Sequence, residues 1–357
     1  MTWALDRAAG ATLAVGLAAG CATIGDRGSF PEALPHGGTG QLRPLDEAEV
    51  GDRPGPAGAA LDLGDAALGS AMVADGFLFY AAAERLEDPP MPPPEQPLDD
   101  VFLDAFGPRR ILRAPPTSTA GFDERGDVVL TAEAPWEGGE VFDPWALTLA
   151  DGAGLLLYAA PGGLGLAESD AGVDGPFRRL DGPVLAADDA PNGAPRRPSA
   201  IEAADGSILV YYESGGELFA LRSDDRRTFV DPLLGPLRIE GEDELDAAEV
   251  GRTGPGAVAL ETRGGRRLVR LYFTSLRDDG TERLVAMGSE DGLAFERQPL
   301  PASPLEDLRD PAPLLLDDRV TLLYGHRARS VDGLQVRALI GAITPPDARL
   351  VEPAPAE

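Results

Sequence analysis

Charged side chains stand at the same place in several copies of a repeated segment. Asp143, Arg197 and Asp310 each precede a proline, and Asp65 stands at the corresponding place of an earlier copy. Carboxylates brought together in this way could bind a polyol ligand through several charge-assisted hydrogen bonds at once. The alternative is local, because an aspartate before proline often caps a turn.

The repeat is marked by four prolines, Pro144, Pro198, Pro255 and Pro311, which are 54, 57 and 56 residues apart. A fixed period of this length is typical of stacked or radial repeat architectures. Asp-Gly pairs within the copies supply the positive φ of tight hairpins, and each copy reads as about four short strands. Four antiparallel strands repeated radially form the blades of a propeller.

Five copies can be counted, with openings at Asp65, Asp143, Arg197, Gly254 and Asp310. The sequence therefore predicts an all-β fold, a five-bladed β-propeller of four-stranded antiparallel blades over residues 61–347. The last copy is short, and we hypothesise that the N-terminal segment supplies its outer strand. A helical solenoid is disfavoured, because the apolar runs are β-type and are bounded by turn residues.

These openings resemble those of the five-bladed propeller glycosidases, the arabinanase and xylosidase family, with the invertases as cousins. The stretch from Ser289 to Phe295 is similar to a turn between outer strands in those enzymes. The resemblance implies that first strands line a central funnel, where hydrolysis needs one protonated and one ionised carboxyl group. It implies Asp143, Asp310 and Asp65 as the catalytic residues.

The glutamate that serves as general acid in that family is not matched in this chain. Thr253 stands at the corresponding place. Glu249, a few residues upstream, and Glu213, after a tyrosine pair, are the candidates that could substitute for it. Hydrolysis is therefore left open, while the fold is indicated more strongly than the activity.

Five further residues are predicted to contact a ligand in the funnel. They are Arg197, Arg309, Trp145, Trp136 and His326. An indole face could stack on a sugar, with core packing as the alternative for Trp145. His326 resembles a histidine near the axis in the glycosidase family, with a solvated loop histidine as the alternative.

Four tyrosines, Tyr80, Tyr158, Tyr211 and Tyr324, recur at what the spacing predicts to be one structural position. Their recurrence at the end of an apolar strand indicates packing between blades.

The chain is strongly acidic, with 60 acidic and 31 basic residues and a formal net charge of −29. Such a surface repels phosphate backbones, so nucleic acid is not an expected partner. With two histidines and one cysteine, zinc clusters and a Ser-His-Asp triad are disfavoured. No metal site and no cofactor are predicted.

The N-terminus, residues 1–20, is predicted to be a targeting segment. Ala8 to Gly20 is an apolar run that is too short to span a bilayer. Leu17 to Cys21 resembles a bacterial lipobox, which implies cleavage before Cys21 and lipidation of that residue. Cys21 is the only cysteine. The alternative is a free cysteine in an ordinary secretory leader.

Residues 21–60, rich in glycine and proline, are predicted to form a flexible tether from the lipidated cysteine. Residues 348–357 are predicted to be a C-terminal tail. The sequence thus predicts a monomeric, lipid-anchored propeller of the cell envelope, at the outer membrane, that recognises and could hydrolyse a carbohydrate. The alternative is a non-catalytic scaffold for envelope proteins.

Replacing the lipobox cysteine tests the membrane anchor. Cys21→Ser should move the protein from the membrane to the soluble envelope fraction, because stable anchoring depends on acyl chains on this residue. Fractionation and detergent-phase partitioning measure the change, with Ala22→Ser as the matched variant that keeps the cysteine. A Cys21→Ser protein that still enters the detergent phase would refute lipidation.

Overall fold

The computed structural model describes residues 23–24, 43–44, 59–62, 67–84, 106–117, 121–123, 126–240, 249–262, 267–298, 308–316, 319–330 and 333–343. The predictions for Cys21, Asp65 and residues 348–357 lie outside the described residues. For Arg309 and His326 the backbone is described and the side chain is not.

The described part of the chain is nearly all β. It contains no α-helix, and its helical turns are the short 3₁₀ segments Pro135–Glu137, Gly172–Asp174 and Ala187–Asp189. Within these ranges no helix has the length and apolarity that a membrane crossing requires. Three short strands come first in the chain: β1 (Thr23–Ile24), β2 (Arg43–Pro44) and β3 (Ala59–Asp62).

The strands of the described residues form five sheets, which are mainly antiparallel. Sheet 1 contains β4 (Ala67–Ala74), β5 (Phe77–Ala83), β6 (Arg110–Ala114) and β7 (Asp127–Leu130). Sheet 2 contains β8 (Phe142–Thr148), β9 (Gly154–Ala160), β10 (Gly163–Ser169), β11 (Arg178–Arg179) and β12 (Leu185–Ala186). Sheet 3 contains β13 (Arg196–Glu202), β14 (Ile208–Ser214) and β15 (Glu217–Ser223).

The last two sheets also take in strands from the start of the chain. Sheet 4 contains β16 (Arg238–Glu240), β17 (Glu249–Thr262), β18 (Arg267–Arg277), β19 (Glu282–Ser289) and β20 (Ala294–Gln298), with β1 beside β17. Sheet 5 contains β21 (Leu308–Leu316), β22 (Arg319–Ser330) and β23 (Gly333–Ile343), with β2 and β3 beside β23.

The N-terminal segment completes the last sheet, as the sequence led us to hypothesise. Leu61 in β3 pairs with Leu339 in β23, and the two strands are antiparallel. The hypothesis of a supplied outer strand is confirmed by this pairing. β2 lies within residues 21–60, the predicted tether, and also pairs with β23.

Sheet 3 differs from the predicted four strands. Beyond β15 its outer pairing is a single bridge between Arg222 and Val230. The carboxylates of Asp225 and Asp231 each accept two backbone N–H bonds from residues two and three positions further along. These turns occupy the donors that a fourth strand would need, and Pro232 has no N–H to contribute.

A β-bulge recurs at the same register position in all five sheets. In sheet 2, Phe142 pairs with Ala159 and Trp145 pairs with Leu157, so two residues of β8 oppose one residue of β9. The same shift occurs in the other four sheets. The residue pairs in the bulges are Gly69-Ser70, Asp143-Pro144, Arg197-Pro198, Gly254-Pro255 and Asp310-Pro311.

This register corrects the alignment of the first repeat. The sequence equated Asp65 with Asp143, but the bulge between Leu68 and Ala71 puts Gly69 at that position. The first copy lacks the proline that marks the other bulges. Aligning it by its tyrosine instead places its opening four residues too early, at Asp65. Sheet 1 therefore presents no carboxylate at its bulge.

The recurring tyrosines occupy two adjacent positions rather than the one predicted. Tyr80 and Tyr211 pair with Ala71 and Ser199 after the bulge, whereas Tyr158 opposes the bulge itself. Tyr80, Tyr158 and Tyr211 are fully buried, which confirms packing for the three described side chains. Tyr324 shares the register position of Tyr158.

The core lies between the faces of successive sheets. All seven residues of β9 are buried, because both faces of this strand are covered by neighbouring sheets. The first strands contact one another in the order β4, β8, β13, β17 and β21, and β21 in turn contacts β4. The five bulges therefore come together where the first strands meet.

A glycine allows two first strands to approach closely. A Cβ atom at Gly256 in β17 would lie 1.9 Å from the Pro311 carbonyl oxygen in β21. No real Cβ contact is that short, so any larger residue would push sheets 4 and 5 apart.

Gly256→Ala should therefore destabilise the protein by about 2 kcal/mol, because overpacking against backbone cannot be relieved by a rotamer change. Chemical denaturation measures the effect. Gly182→Ala is the matched control, since a Cβ there meets nothing within 4 Å, and its effect should stay within about 0.5 kcal/mol. Equal stability of the two variants would contradict the close packing of the first strands.

Candidate functional site where the first strands meet

The backbone at the bulges adopts a conformation that costs free energy. Asp143, Arg197 and Asp310 have φ of 51°, 50° and 51°, in the left-handed region that few non-glycine residues enter. A following proline restricts this residue further. Such strain costs on the order of 1–3 kcal/mol per residue and often marks functional sites.

The fourth sheet has a glycine at this position for a steric reason. Gly254 has φ of 62°, and a Cβ there would lie 2.8 Å from Asp310 Oδ1 and 2.9 Å from Asp310 Cα. The missing side chain makes room for Asp310 of the neighbouring sheet.

The Arg197 guanidinium joins three sheets. Its Nη1 donates hydrogen bonds to Glu213 Oε2 at 2.6 Å and to Thr253 Oγ1 at 2.8 Å. Its Nε lies 2.6 Å from Asp310 Oδ1, an ion pair without the geometry of a linear hydrogen bond. The Thr253 hydroxyl donates to the same Glu213 oxygen, which closes a triangle of three side chains.

Asp143 adds the remaining two sheets. Its Oδ2 accepts the backbone N–H of Arg197 at 3.1 Å, and its Oδ1 accepts the Ser70 hydroxyl at 2.8 Å. Side chains from all five sheets therefore meet. We call this group the central cluster; its members are Ser70, Asp143, Arg197, Glu213, Thr253 and Asp310.

The electrostatics of the central cluster are dominated by one cation among three acids. Burial alone would lower the pKa of Arg197, but the charges of Asp310, Glu213 and Asp143 and the hydrogen bond to Glu213 raise its pKa above the ordinary value. Arg197 therefore remains charged. The ionised cluster has three negative charges and one positive charge.

The cluster is partly open to solvent. The side chains of Arg197, Glu213 and Asp310 are 21%, 16% and 19% exposed. Carboxylate oxygens accept hydrogen bonds and guanidinium and hydroxyl groups donate them. A ligand with several hydroxyl groups could exchange hydrogen bonds with both kinds of group.

A second group of side chains surrounds Phe142 and Arg196, the residues directly before the bulges of sheets 2 and 3. The Arg109 guanidinium lies 3.6 Å from the centroid of the Phe142 ring, and the Arg196 guanidinium lies 5.7 Å from it. Glu140 accepts two hydrogen bonds from Arg109, both 2.8 Å. These bonds lower the pKa of Glu140, burial opposes them, and the charge of Arg196 contributes to the lowering. We call Arg109, Glu140, Phe142 and Arg196 the rim.

The predicted tryptophans lie in packed positions. Trp145 is 7% exposed, and its indole N–H donates to the Ala200 carbonyl at 2.9 Å. This placement favours the alternative of core packing between sheets 2 and 3. Trp136 stacks on Tyr158 at 6.0 Å.

A buried carboxylate holds the loop that carries Trp136. Glu137 is fully buried and accepts hydrogen bonds from the Tyr158 hydroxyl, the Arg179 guanidinium and the backbone N–H of Ala134. Burial and the hydrogen bond to Glu137 raise the pKa of Tyr158. Each polar contact is made within the protein, so Glu137 fixes the chain before β8.

The two residues that could substitute for the missing general-acid glutamate, Glu213 and Glu249, lie in different surroundings. Glu213 belongs to the central cluster. Glu249 accepts hydrogen bonds from Arg252 and Ser275 instead. Thr253 does lie in the cluster, where the sequence placed it, but as a hydroxyl that donates to Glu213.

Several members of the cluster and rim were not selected from the sequence. Five of them belong to no sequence motif: Ser70, Phe142, Arg109, Glu140 and Arg196. The one available signal was their position in the repeat, since Ser70, Phe142 and Arg196 are in or next to bulges.

Across the described ranges, no group of three or more histidine, cysteine, aspartate or glutamate residues is placed to hold a metal ion.

Comparison with known proteins gives structural likeness without sequence likeness. No protein-family profile and no curated protein matches the sequence. The RS223 β-xylosidase superposes with a TM-score of 0.54 and 15% identity, over 82% of this chain and 96% of that one. A family 117 glycoside hydrolase from Zobellia galactanivorans superposes with a TM-score of 0.56 and 16% identity, over 90% and 94%.

A third similar structure contains a sugar. It is the GH43_1 enzyme from Xanthomonas citri complexed with xylose, with a TM-score of 0.53 and 16% identity, over 82% of this chain and 92% of that one. These proteins are β-propeller glycoside hydrolases, and the likeness shows that this chain has their fold.

Proposed function

We propose that the protein is a carbohydrate-binding β-propeller whose ligand binds at the central cluster. The observation that carries this proposal is the convergence of six polar side chains, one or two from each sheet, on a partly open site. The strained backbone at three of them supports a functional rather than a packing role. The fold shared with a xylose-bound enzyme supports a sugar as the ligand.

We propose further that the five sheets are the five blades of the propeller. The first strands contact one another in cyclic order, and β21 contacts β4. The pairing of β3 with β23 supports ring closure, because it joins the beginning of the repeat region to its end. On this arrangement the central cluster lies at the axis.

Binding is favoured over hydrolysis by the contacts of Glu213. A general acid must donate a proton to the leaving group. Glu213 Oε2 instead accepts hydrogen bonds from both Arg197 and Thr253. Arg197 also pairs with Asp310, so two of the three carboxylates are engaged by one cation.

The location proposed for this propeller is the cell envelope, with Cys21 lipidated and the protein held at the outer membrane as a monomer. The lipobox-like sequence supports the anchor. A glycan-binding head on such an anchor would act on polysaccharide at the cell surface or in the periplasm.

A carboxylate of the central cluster should contribute to glycan affinity. Asp143→Asn keeps the shape of the side chain but removes its charge, and we expect about ten-fold weaker binding because charge-assisted hydrogen bonds are lost. A glycan array identifies the ligand, and calorimetry measures the affinity. Asp170→Asn is the matched control, because Asp170 is an exposed residue directly after β10 of the same sheet and pairs with Arg178.

Two results would contradict this account of the site. One is the absence of any glycan that binds the wild-type protein. The other is turnover of aryl glycosides or oligosaccharides that Glu213→Gln abolishes, which would show that Glu213 serves as a catalytic acid.

A further inference from the structure

Arg196, on the rim, is an exposed cation near Glu140, and that carboxylate is hydrogen-bonded to Arg109 instead. The Arg196 guanidinium lies against the Phe142 ring, and it forms no ion pair or side-chain hydrogen bond among the described residues. Acidic residues outnumber basic ones 60 to 31 in the whole chain. An unpaired arginine is therefore not explained by a shortage of carboxylates.

The neighbouring rim arginine shows the contrast. Arg109 is held by two hydrogen bonds from its own guanidinium to Glu140, which leaves that carboxylate engaged. The charges of Arg109 and Glu140 offset each other, so the rim has a net positive charge that resides on Arg196. The central cluster beside it has more carboxylates than cations.

The backbones of the two regions are directly connected. Arg196 directly precedes Arg197, and Phe142 directly precedes Asp143. Consecutive Cα atoms are about 3.8 Å apart, which is comparable to the width of a sugar ring. A ligand whose hydroxyl groups reach the cluster can therefore place another substituent at the rim.

We propose that the ligand is an acidic glycan, in which a uronate carboxylate binds Arg196 while the neutral hydroxyl groups of the same or the adjacent sugar bind the central cluster. This inference rests on the proposed function and adds the substrate class to it. A planar guanidinium matches a carboxylate through two parallel hydrogen bonds. The charge pattern orients the ligand, because its carboxylate is attracted to the rim and repelled by Asp143, Glu213 and Asp310.

The Phe142 ring contributes to this arrangement. It is 2% exposed, so it presents a fixed surface rather than a mobile side chain. A guanidinium within about 6 Å of an aromatic ring is held by cation–π attraction, which costs the arginine none of its hydrogen-bond donors. Arg196 is thus positioned and still free to bind an anion.

The test compares one oligosaccharide in two charge states. A xylobiose that carries a single glucuronic acid and the methyl ester of the same oligosaccharide share one sugar backbone and differ only in the charge of one carboxylate. We expect calorimetry to show that the wild-type full-length protein binds the acid at least about ten-fold more tightly than the ester. Raised salt should weaken the binding of the acid only.

Variants assign the preference to a residue. Arg196→Gln should lose about ten-fold in affinity for the acid and little for the ester, and Arg196→Lys should fall between. Arg238→Gln is the matched control, because Arg238 is exposed in β16 at the opposite edge of sheet 4 from β17 and has no ion pair among the described residues.

Each outcome decides between the two proposals. Equal binding of acid and ester, binding of neutral glycans alone, or tighter binding of a sulfated glycan would overturn the acidic-sugar inference and leave carbohydrate binding standing. An acid preference that survives Arg196→Gln would overturn the role of Arg196. Absence of binding to every glycan would overturn both proposals.

Discussion

The arrangement of the site depends on one cation placed among three carboxylates. Without Arg197, the side chains of Asp143, Glu213 and Asp310 would repel one another where the first strands meet. Its guanidinium links sheet 3 to sheets 4 and 5, and its backbone N–H links sheet 3 to Asp143 of sheet 2. The same guanidinium engages Glu213 and Asp310, two of the three carboxylates of the central cluster.

This interaction is made possible by the repeated bulge. A left-handed residue followed by proline turns away from the regular strand, and the same geometry recurs in sheets 2, 3 and 5. The strain is balanced by contacts that form only when the sheets come together. Two glycines of sheet 4 make these contacts possible. Gly254 leaves the space that Asp310 occupies, and Gly256 leaves the space that the Pro311 carbonyl occupies.

The fold and half of the site were accessible from the sequence. Prolines mark four of the bulges, so Asp143, Arg197 and Asp310 could be aligned from local pattern alone. The first bulge has Gly69-Ser70 and no proline, and for that reason Asp65 was aligned in its place. Glu213, which the sequence offers only as a possible substitute for the missing acid, lies on a second strand with no motif around it. It pairs with Arg196 in the register and bonds to the neighbouring Arg197.

The rim illustrates the same limit. Phe142 and Arg196 are far apart in the sequence, and their contact depends on how sheet 2 packs against sheet 3. Trp145 was a reasonable candidate for stacking on a sugar, yet its side chain enters the space between those sheets and bonds to Ala200. Composition does not distinguish an aromatic residue in a funnel from one in a core, because both require a large apolar face.

The central claim, that Arg197 acts by its charge, is tested most directly by a double-mutant cycle that measures the stability lost in Arg197→Met with and without Asp310→Asn. Removing one partner of a largely buried ion pair costs about 3 kcal/mol, and we expect a loss of this size in the otherwise wild-type protein. Because Asp310→Asn removes one of the charges that Arg197 engages, the loss caused by Arg197→Met should shrink by about half or more in that background. Arg222→Met, which removes a surface arginine paired with Asp205 and Asp224, should cost much less than Arg197→Met. A loss from Arg197→Met that is the same in both backgrounds would show that Arg197 contributes packing rather than charge, and would contradict the account.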